Sequence, residues 1–207
     1  MYQDVLVPTD GSDGTRRSIV HGLTIAERFD ARVHALSVVP EGPLGTLESE
    51  EATPAAHRAV EHVESEAAET GLEAVTAVEH GVPHEEILDY VDDHDVDMVV
   101  MGTQGRTGLD RVLVGSVTER VIRMAEVPIV TVRLTDELRI DDPEEAERLA
   151  REALANGSLD HERSIVDGGP HRISGSWLFA FEPDDDPAHV TVDGVSGETR
   201  LESGVQD

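Results

Sequence analysis

A doubly wound α/β fold, a parallel sheet of five strands with helices on both faces, is predicted for residues 1–136. A small α+β unit is predicted for residues 137–207. Three observations lead there. Short apolar runs alternate with stretches whose apolar residues recur every three or four positions, the pattern of strands and amphipathic helices in turn. The fourth run passes into a polar loop carrying Gly102, Gly105 and Gly108, and then into a helix start. Beyond residue 136 the alternation gives way to one helical stretch followed by short strand-like runs separated by turn-forming residues.

The first strand is expected at residues 3–9 around Val5-Leu6-Val7, ending in the polar turn Pro8-Thr9-Asp10-Gly11-Ser12. A helix follows, with Ile19, Val20, Leu23 and Ala26 on one face. Residues 31–39 read as the second strand. Pro40 to Thr53 has glycine, proline, acids and no period, and reads as a loop. Thr53-Pro54 reads as the next helix start, because proline suits the first helical position. Ala56, Ala59, Val60, Val63 and Ala67 form the stripe of that helix, which Gly71 ends. Leu72 to Glu79 is the third strand, and Gly81-Val82-Pro83 leads into a short helix with Ile87, Leu88 and Val91 inward. Val96 to Val100 is the fourth strand. Ser116-Val117-Thr118-Glu119 has the form of a capping box, with Ser116 as cap. The helix it opens is expected to bury Val117, Val121, Ile122 and Ala125, and Pro128 to Val132 is the fifth strand.

Strands that alternate with helices are joined by right-handed crossovers. Ligands in such sheets sit beyond the carboxyl ends of the strands, where the strand order reverses. If the first and fourth strands are neighbours there, the Asp10 turn and the glycine loop face one crevice. Glycine lets a backbone approach a ligand closely, and a helix start offers unpaired N–H groups at the positive end of the dipole. Together they make an anion site, with phosphate the usual anion. The carboxylate of Asp10 suits a ribose hydroxyl or a metal-bound water; as a bare turn residue it would only close the turn.

Composition limits the chemistry. The chain has 44 acidic and 16 basic residues, a formal charge of −28, and every basic residue is arginine. That argues against binding nucleic acid through a basic face and against an anionic membrane surface. It fits a folded protein kept soluble by acidic surface in concentrated salt, where screening weakens self-repulsion. Without cysteine there is no disulfide or thiol chemistry, and without a leader-like or long apolar stretch the expected location is the cytoplasm. A Walker-type loop needs a lysine on the transferred phosphate, and this chain has none. Arg106 and Arg111 are the cations of the glycine loop. Binding is therefore preferred to turnover, and no catalytic residue is assigned. The ten histidines show no metal-ligand spacing, and they read as scattered over the surface. The clusters Asp92-Asp93 and Asp184–Asp186 read as solvated.

The spacing Gly102-x2-Gly105-x9-Gly115-Ser116 after a buried strand resembles the nucleotide-binding signature of the universal stress proteins, in the branch that binds ATP. The resemblance extends over residues 1–134, through the first-strand Val5-Leu6-Val7-Pro8-Thr9-Asp10-Gly11-Ser12, the Asp97–Gly102 strand and the Val127–Val132 strand. It implies strand order 3-2-1-4-5, as in the adenine nucleotide alpha hydrolase-like fold. It implies adenine near Val38 and Val39, ribose and phosphates near Asp10, and phosphates on Gly105, Arg106, Gly115, Ser116, Val117 and Thr118. Pro8, Thr9, Met101 and Gly102 complete the implied set. Mg²⁺ would arrive with ATP, Asp10 being the protein carboxylate placed to join it. A dimer through Val127–Val132 is also implied. Three readings stay open: a nucleotide-dependent regulatory protein, a slow ATP hydrolase, and a scaffold whose tail recruits a protein partner.

In the tail, Asp142-Pro143-Glu144-Glu145 is a helix start with Asp142 as cap. Ala146, Leu149, Ala150, Ala153 and Leu154 form its apolar face, and Asn156-Gly157 closes it. Strands are expected at residues 161–166, 174–182, 189–193 and 198–201, with a turn at Pro183–Pro187. Trp177 and Phe179, two apart, share one strand face. Val190-Thr191-Val192-Asp193 followed by Ser196-Gly197-Glu198 resembles the terminal hairpin of PepSY-type modules; the alternative is a family-private extension.

Overall fold

The computed structural model describes residues 2–40, 48–103, 114–133, 139–157, 159–160, 162–166, 169–182 and 188–203, the side chains of 48–51 and 203 excepted. The chain divides into two compact units, residues 1–134 and 135–207.

In the first unit the strands are β1 (Asp4–Pro8), β2 (Arg32–Pro40), β3 (Ala74–Gly81), β4 (Met98–Gly102) and β5 (Ile129–Val132). The helices are α1 (Arg16–Phe29), α2 (Glu48–Glu69), α3 (Pro83–Asp93) and α4 (Ser116–Met124). The sheet runs β3-β2-β1-β4-β5, and every pair is parallel. Order therefore reverses between β1 and β4, where Leu6 lies opposite Val99. Sheet residues of alternating parity feed two cores. Val5, Val7, Val33, Ala35 and Val100 pack with Ile19, Leu23 and Ala26 of α1 and Val60 and Val63 of α2. Leu6, Leu36, Val99 and Met101 pack with Ile87 and Val91 of α3 and Val121 of α4. Strands buried on both faces need unbroken apolar runs. That is why Val5-Leu6-Val7 and Met98-Val99-Val100 are legible as strands.

The buried stripe of α1 is Ile19, Gly22, Leu23 and Ala26, and Val20 is 47% exposed. Each residue advances about 100° around a helix, so Val20 cannot share the face of Ile19 and Leu23. Gly22 permits the close approach of α1 to the sheet: a Cβ there would meet Val7 Cγ2 at 2.5 Å. The same rotation corrects α4, where Val121 is buried and Ile122 is 47% exposed. The expected loop to Thr53 is also corrected. α2 begins at Glu48, so Pro54 lies inside it rather than at its first position. The register of Ala56, Ala59, Val60 and Val63 on the core carries the helix past the backbone donor that Pro54 lacks.

The second unit is a helix on one face of an antiparallel meander. α5 (Pro143–Asn156) precedes β6 (His171–Ile173), β7 (Ser176–Phe181), β8 (Ala188–Asp193) and β9 (Thr199–Ser203), ordered β6-β7-β8-β9. The Asp142 carboxylate caps α5 by accepting from Glu144 N at 2.9 Å. Ala146, Ala150 and Leu154 pack on Trp177, Phe179, Phe181 and Val190, and Trp177 Nε1 donates to Ile140 O at 2.8 Å. The first strand of this sheet is not the expected 161–166 segment, which contributes an isolated bridge from Ile165 to Phe181. It is β6, because Ser174 and Gly175 both take positive φ, 49° and 81°. Two such residues close a two-residue hairpin, so the strand expected from Ser174 starts at Ser176. The Pro183–Pro187 turn and Asp184–Asp186 lie outside the described residues.

Candidate functional site

A cleft of about 380 Å³ opens at the carboxyl ends of β1, β2 and β4. Each wall follows from local chemistry. β1 pairs with β2 as far as Pro8 opposite Leu36, and Thr9 N donates to Leu36 O at 2.8 Å. The chain then turns away through Gly11 at φ 73°. Thr9 Oγ1 accepts from Gly11 N at 3.1 Å. Asp10 Oδ1 accepts from Ser12 N at 2.9 Å and from Ser12 Oγ at 2.5 Å. This Asx-type turn holds the carboxylate at the cleft.

β2 runs on past the end of β1, paired on its other side with β3 through Pro40 opposite Gly81. Alternate peptides of a parallel strand face alternate neighbours. Leu36 O points toward β1, so the N–H and C=O of Val38 point the same way, where β1 has turned off. One residue thus presents a donor and an acceptor to the cleft.

β4 ends in Gly102, whose carbonyl accepts from Thr118 Oγ1 at 2.8 Å, and Gly115 N donates to Thr103 O at 2.7 Å. The cap of α4 is Gly115, extended at φ −61° and ψ 151°, with no side-chain cap bond. This corrects the capping-box expectation. Gly115 O accepts the first helical bond, from Glu119 N at 2.9 Å, so Ser116 stands one position inside the helix. The first-turn N–H groups of Ser116, Val117 and Thr118 have no acceptor among the described residues. All three residues line the cleft.

The described members of the residue set expected from the sequence come together here. Pro8, Thr9 and Asp10 arrive from β1, Val38 and Val39 from β2, Met101 and Gly102 from β4, and Gly115 to Thr118 from α4. Gly105 and Arg106 lie outside the described residues, as do Gly108 and Arg111. Sequence reasoning missed the side walls: Ala52 and Ala56 of α2, Pro83 and Ile87 of α3, and Ser37 of β2. Ala56 and Ile87 were read as core, and Ala52 as loop. No local signal separates an alanine facing a cleft from one facing a core. Among the described residues no group of three or more His, Cys, Asp or Glu could hold a metal ion. No helix among the described residues is long and apolar enough to cross a membrane.

The histidines are not all on the surface. His34, His62 and His84 are buried. His34 Nε2 lies 2.9 Å from Asp4 Oδ1, and His34 Nδ1 lies 3.0 Å from Tyr90 Oη. Arg32 Nη2 completes the cluster at 2.7 Å from Asp4 Oδ1. Burial alone would raise the Asp4 pKa, but hydrogen bonds from His34 and Arg32 outweigh it and hold the carboxyl below its usual value. Burial pushes the Tyr90 phenol up. This cluster stands at the start of β1, the opposite end of the strand from the cleft, and ties β1, β2 and α3 together.

A parallel sheet ordered 3-2-1-4-5, with a pocket at its switch point and a glycine-capped helix start on the pocket rim, defines a doubly wound α/β domain whose cleft stands where such folds take their ligands. The sequence model of the Universal stress protein family matches residues 1–133. The chain belongs to that family. Universal stress protein MJ0531 of Methanocaldococcus jannaschii is 38% identical over 141 residues, covering 64% of this chain and 83% of the relative. The solved structure of MJ0577, from the same organism, superposes with a TM-score of 0.57 at 30% identity, over 66% of this chain and 99% of that one. A universal stress protein of Archaeoglobus fulgidus, solved in complex with dAMP, shares the fold at 22% identity. Its TM-score is 0.53, over 64% of this chain and 98% of that one.

Proposed function

We propose that residues 1–134 bind ATP with Mg²⁺ and that the chain acts as a nucleotide-dependent regulatory protein, responding through occupancy of the cleft. The observation that carries this reading is the cleft's division of labour. The free peptide edge of Val38, with an apolar surround from Ala52, Ala56, Pro83 and Ile87, suits a purine. Asp10, held by Ser12, suits ribose hydroxyls. The first turn of α4 suits phosphate oxygens. A relative of the same fold holds dAMP. Gly115 adds support: its backbone is one any residue adopts, and a Cβ would meet nothing nearer than Thr103 O at 3.4 Å. The fold does not demand glycine there, whereas a phosphate lying against the backbone does.

Occupancy is favoured over turnover because the chain has no lysine for a Walker-type loop. Hydrolysis would then run below the common enzyme range of about 1 to 1000 per second. Bound and free forms would differ in the surface they offer a partner. Pairing of β5 from two chains is part of the same reading. β5 is the edge of the sheet, and an unpaired edge invites another strand.

Titration calorimetry of the whole chain in molar KCl tests the reading. Saturable binding of ATP with Mg²⁺, tighter than binding of adenosine, is expected. A chain that binds neither, and that releases no nucleotide to mass spectrometry on denaturation, would sink it.

A further inference from the structure

The cleft contains a polar side chain that none of the described residues around it uses. Ser37 is 3% exposed, and its hydroxyl has no hydrogen-bond partner among the described residues. The buried threonine hydroxyls of the cleft are engaged: Thr9 Oγ1 with Thr15 Oγ1 and Gly11 N, Thr15 Oγ1 with Ser12 O, Thr118 Oγ1 with Gly102 O. Among the described residues no sealed side-chain polar atom is left without a partner, so the Ser37 oxygen is not shut inside the core. It opens on the cleft that Ser37 lines. Strand alternation turns Ser37 and Val39 toward the α2 side of the sheet. There the neighbouring wall of the cleft is Ala52 and Ala56, neither of which has a side-chain polar atom to offer.

An empty cleft lets water serve such a hydroxyl. A flat ring that fills the cleft strips the water away, and an unpaired buried hydroxyl then weakens binding. A ligand that fits must supply the missing partner. We infer that Ser37 is a specificity-determining residue for the base, its hydroxyl hydrogen-bonding a ring nitrogen of the purine. This rests on the nucleotide reading above. The base is the part concerned because Ser37 precedes Val38, whose peptide edge faces the purine end of the cleft, whereas the phosphate end lies at α4. A site that hydrogen-bonds a ligand atom discriminates strongly against an analogue lacking it, since the analogue strands the protein group.

Ser37→Ala removes the oxygen and leaves the shape, and unfolding without ligand checks that the fold is unchanged. Whole chain, wild type and variant, is titrated with ATP, with adenosine and with 1-, 3- and 7-deazaadenosine. The variant is expected to bind ATP roughly 3- to 10-fold more weakly, and adenosine more weakly by the same factor. The penalty that wild type shows for one deaza analogue should vanish in the variant. Unchanged ATP affinity overturns the assignment. So does a loss for ATP without a loss for adenosine, which would put the hydroxyl at the phosphates. Equal losses with every deaza penalty intact would put it at the ribose or the exocyclic amine and overturn the ring-nitrogen contact. In those three cases wild type still binds ATP and the nucleotide reading stands. A wild-type chain that binds neither ligand overturns both.

Discussion

Gly115→Ala and Gly115→Val separate what the fold requires of this position from what a ligand requires. The backbone at φ −61° and ψ 151° is open to any residue. The added Cβ would meet Thr103 O at 3.4 Å and Thr118 Oγ1 at 4.0 Å, both tolerable contacts. Losing glycine at a helix cap costs about 1 kcal/mol or less, and restricting the unfolded chain returns about 0.4–1 kcal/mol. Ligand-free stability should therefore stay within about 1 kcal/mol of wild type in Gly115→Ala. Binding should not survive so well. A hydrogen bond to a charged group contributes about 1.5–3 kcal/mol. Side-chain bulk at Gly115 that displaces a phosphate from two first-turn N–H groups removes about 3–6 kcal/mol, on the order of a 100-fold loss or more. Valine should lose more than alanine. Calorimetry gives the affinity, and thermal unfolding with and without ATP gives a second reading, because wild type gains about 2.7 kcal/mol at 100 times Kd. Adenosine, lacking phosphate, should bind both variants as it binds wild type. Equal ATP affinity in wild type and Gly115→Val, or a parallel loss of adenosine, would refute the assignment of phosphate to this helix start.

Three further outcomes are expected. With a formal charge of −28, the melting temperature should climb as KCl rises from millimolar to molar, because screening relieves repulsion; a flat profile would remove the halophilic reading. Pro128 O accepts from Val99 N of β4 and Val132 O from Thr103 N just beyond it, so alternation turns the Thr131 N–H to the open edge. Thr131→Pro should then convert a dimer to a monomer in light scattering with the fold intact, and an unchanged mass would exclude pairing through β5. Asp4 has a lowered folded pKa, so its contribution is present above the unfolded value of about 3.9 and fades as pH falls through the folded one. Melts of Asp4→Asn should lie below wild type near neutrality and converge on it in acid; a constant gap at all pH values would show that charge is not the cause.

Much of the first unit was legible because its signals are local. A strand buried on both faces must be apolar at every position, and a helix over a sheet must be apolar every third or fourth residue. The turn at Asp10 announces itself, since its geometry restricts the residue type at Gly11, and the glycines at 102 and 115 were legible through their spacing after a buried strand. Errors fell where a local signal has two solutions. Ile122 and Val20 are apolar beside a stripe without belonging to it. Ser116 can cap a helix or stand inside one, and the choice went to Gly115 because its carbonyl takes the bond from Glu119. Ser174 and Gly175 read as strand until their positive φ values made them a turn.

Strand order is a different matter. Alternating strands and helices imply a parallel sheet, but a crossover can step to either side of it, so periodicity alone does not put β1 beside β4; the family resemblance supplied that order. The cleft exists because it is so: Leu6 lies opposite Val99, and two turns far apart in the chain come to share one rim. Ser37, Ala52, Ala56, Pro83 and Ile87 became cleft walls by the same folding step. Asp4 likewise met His34 because Leu6 and His34 are paired across β1 and β2. A residue's type limits what it can do, and composition carries that information along the chain. Whether a small or polar side chain faces core, cleft or partner depends on which distant elements close over it, and that is set by long-range packing.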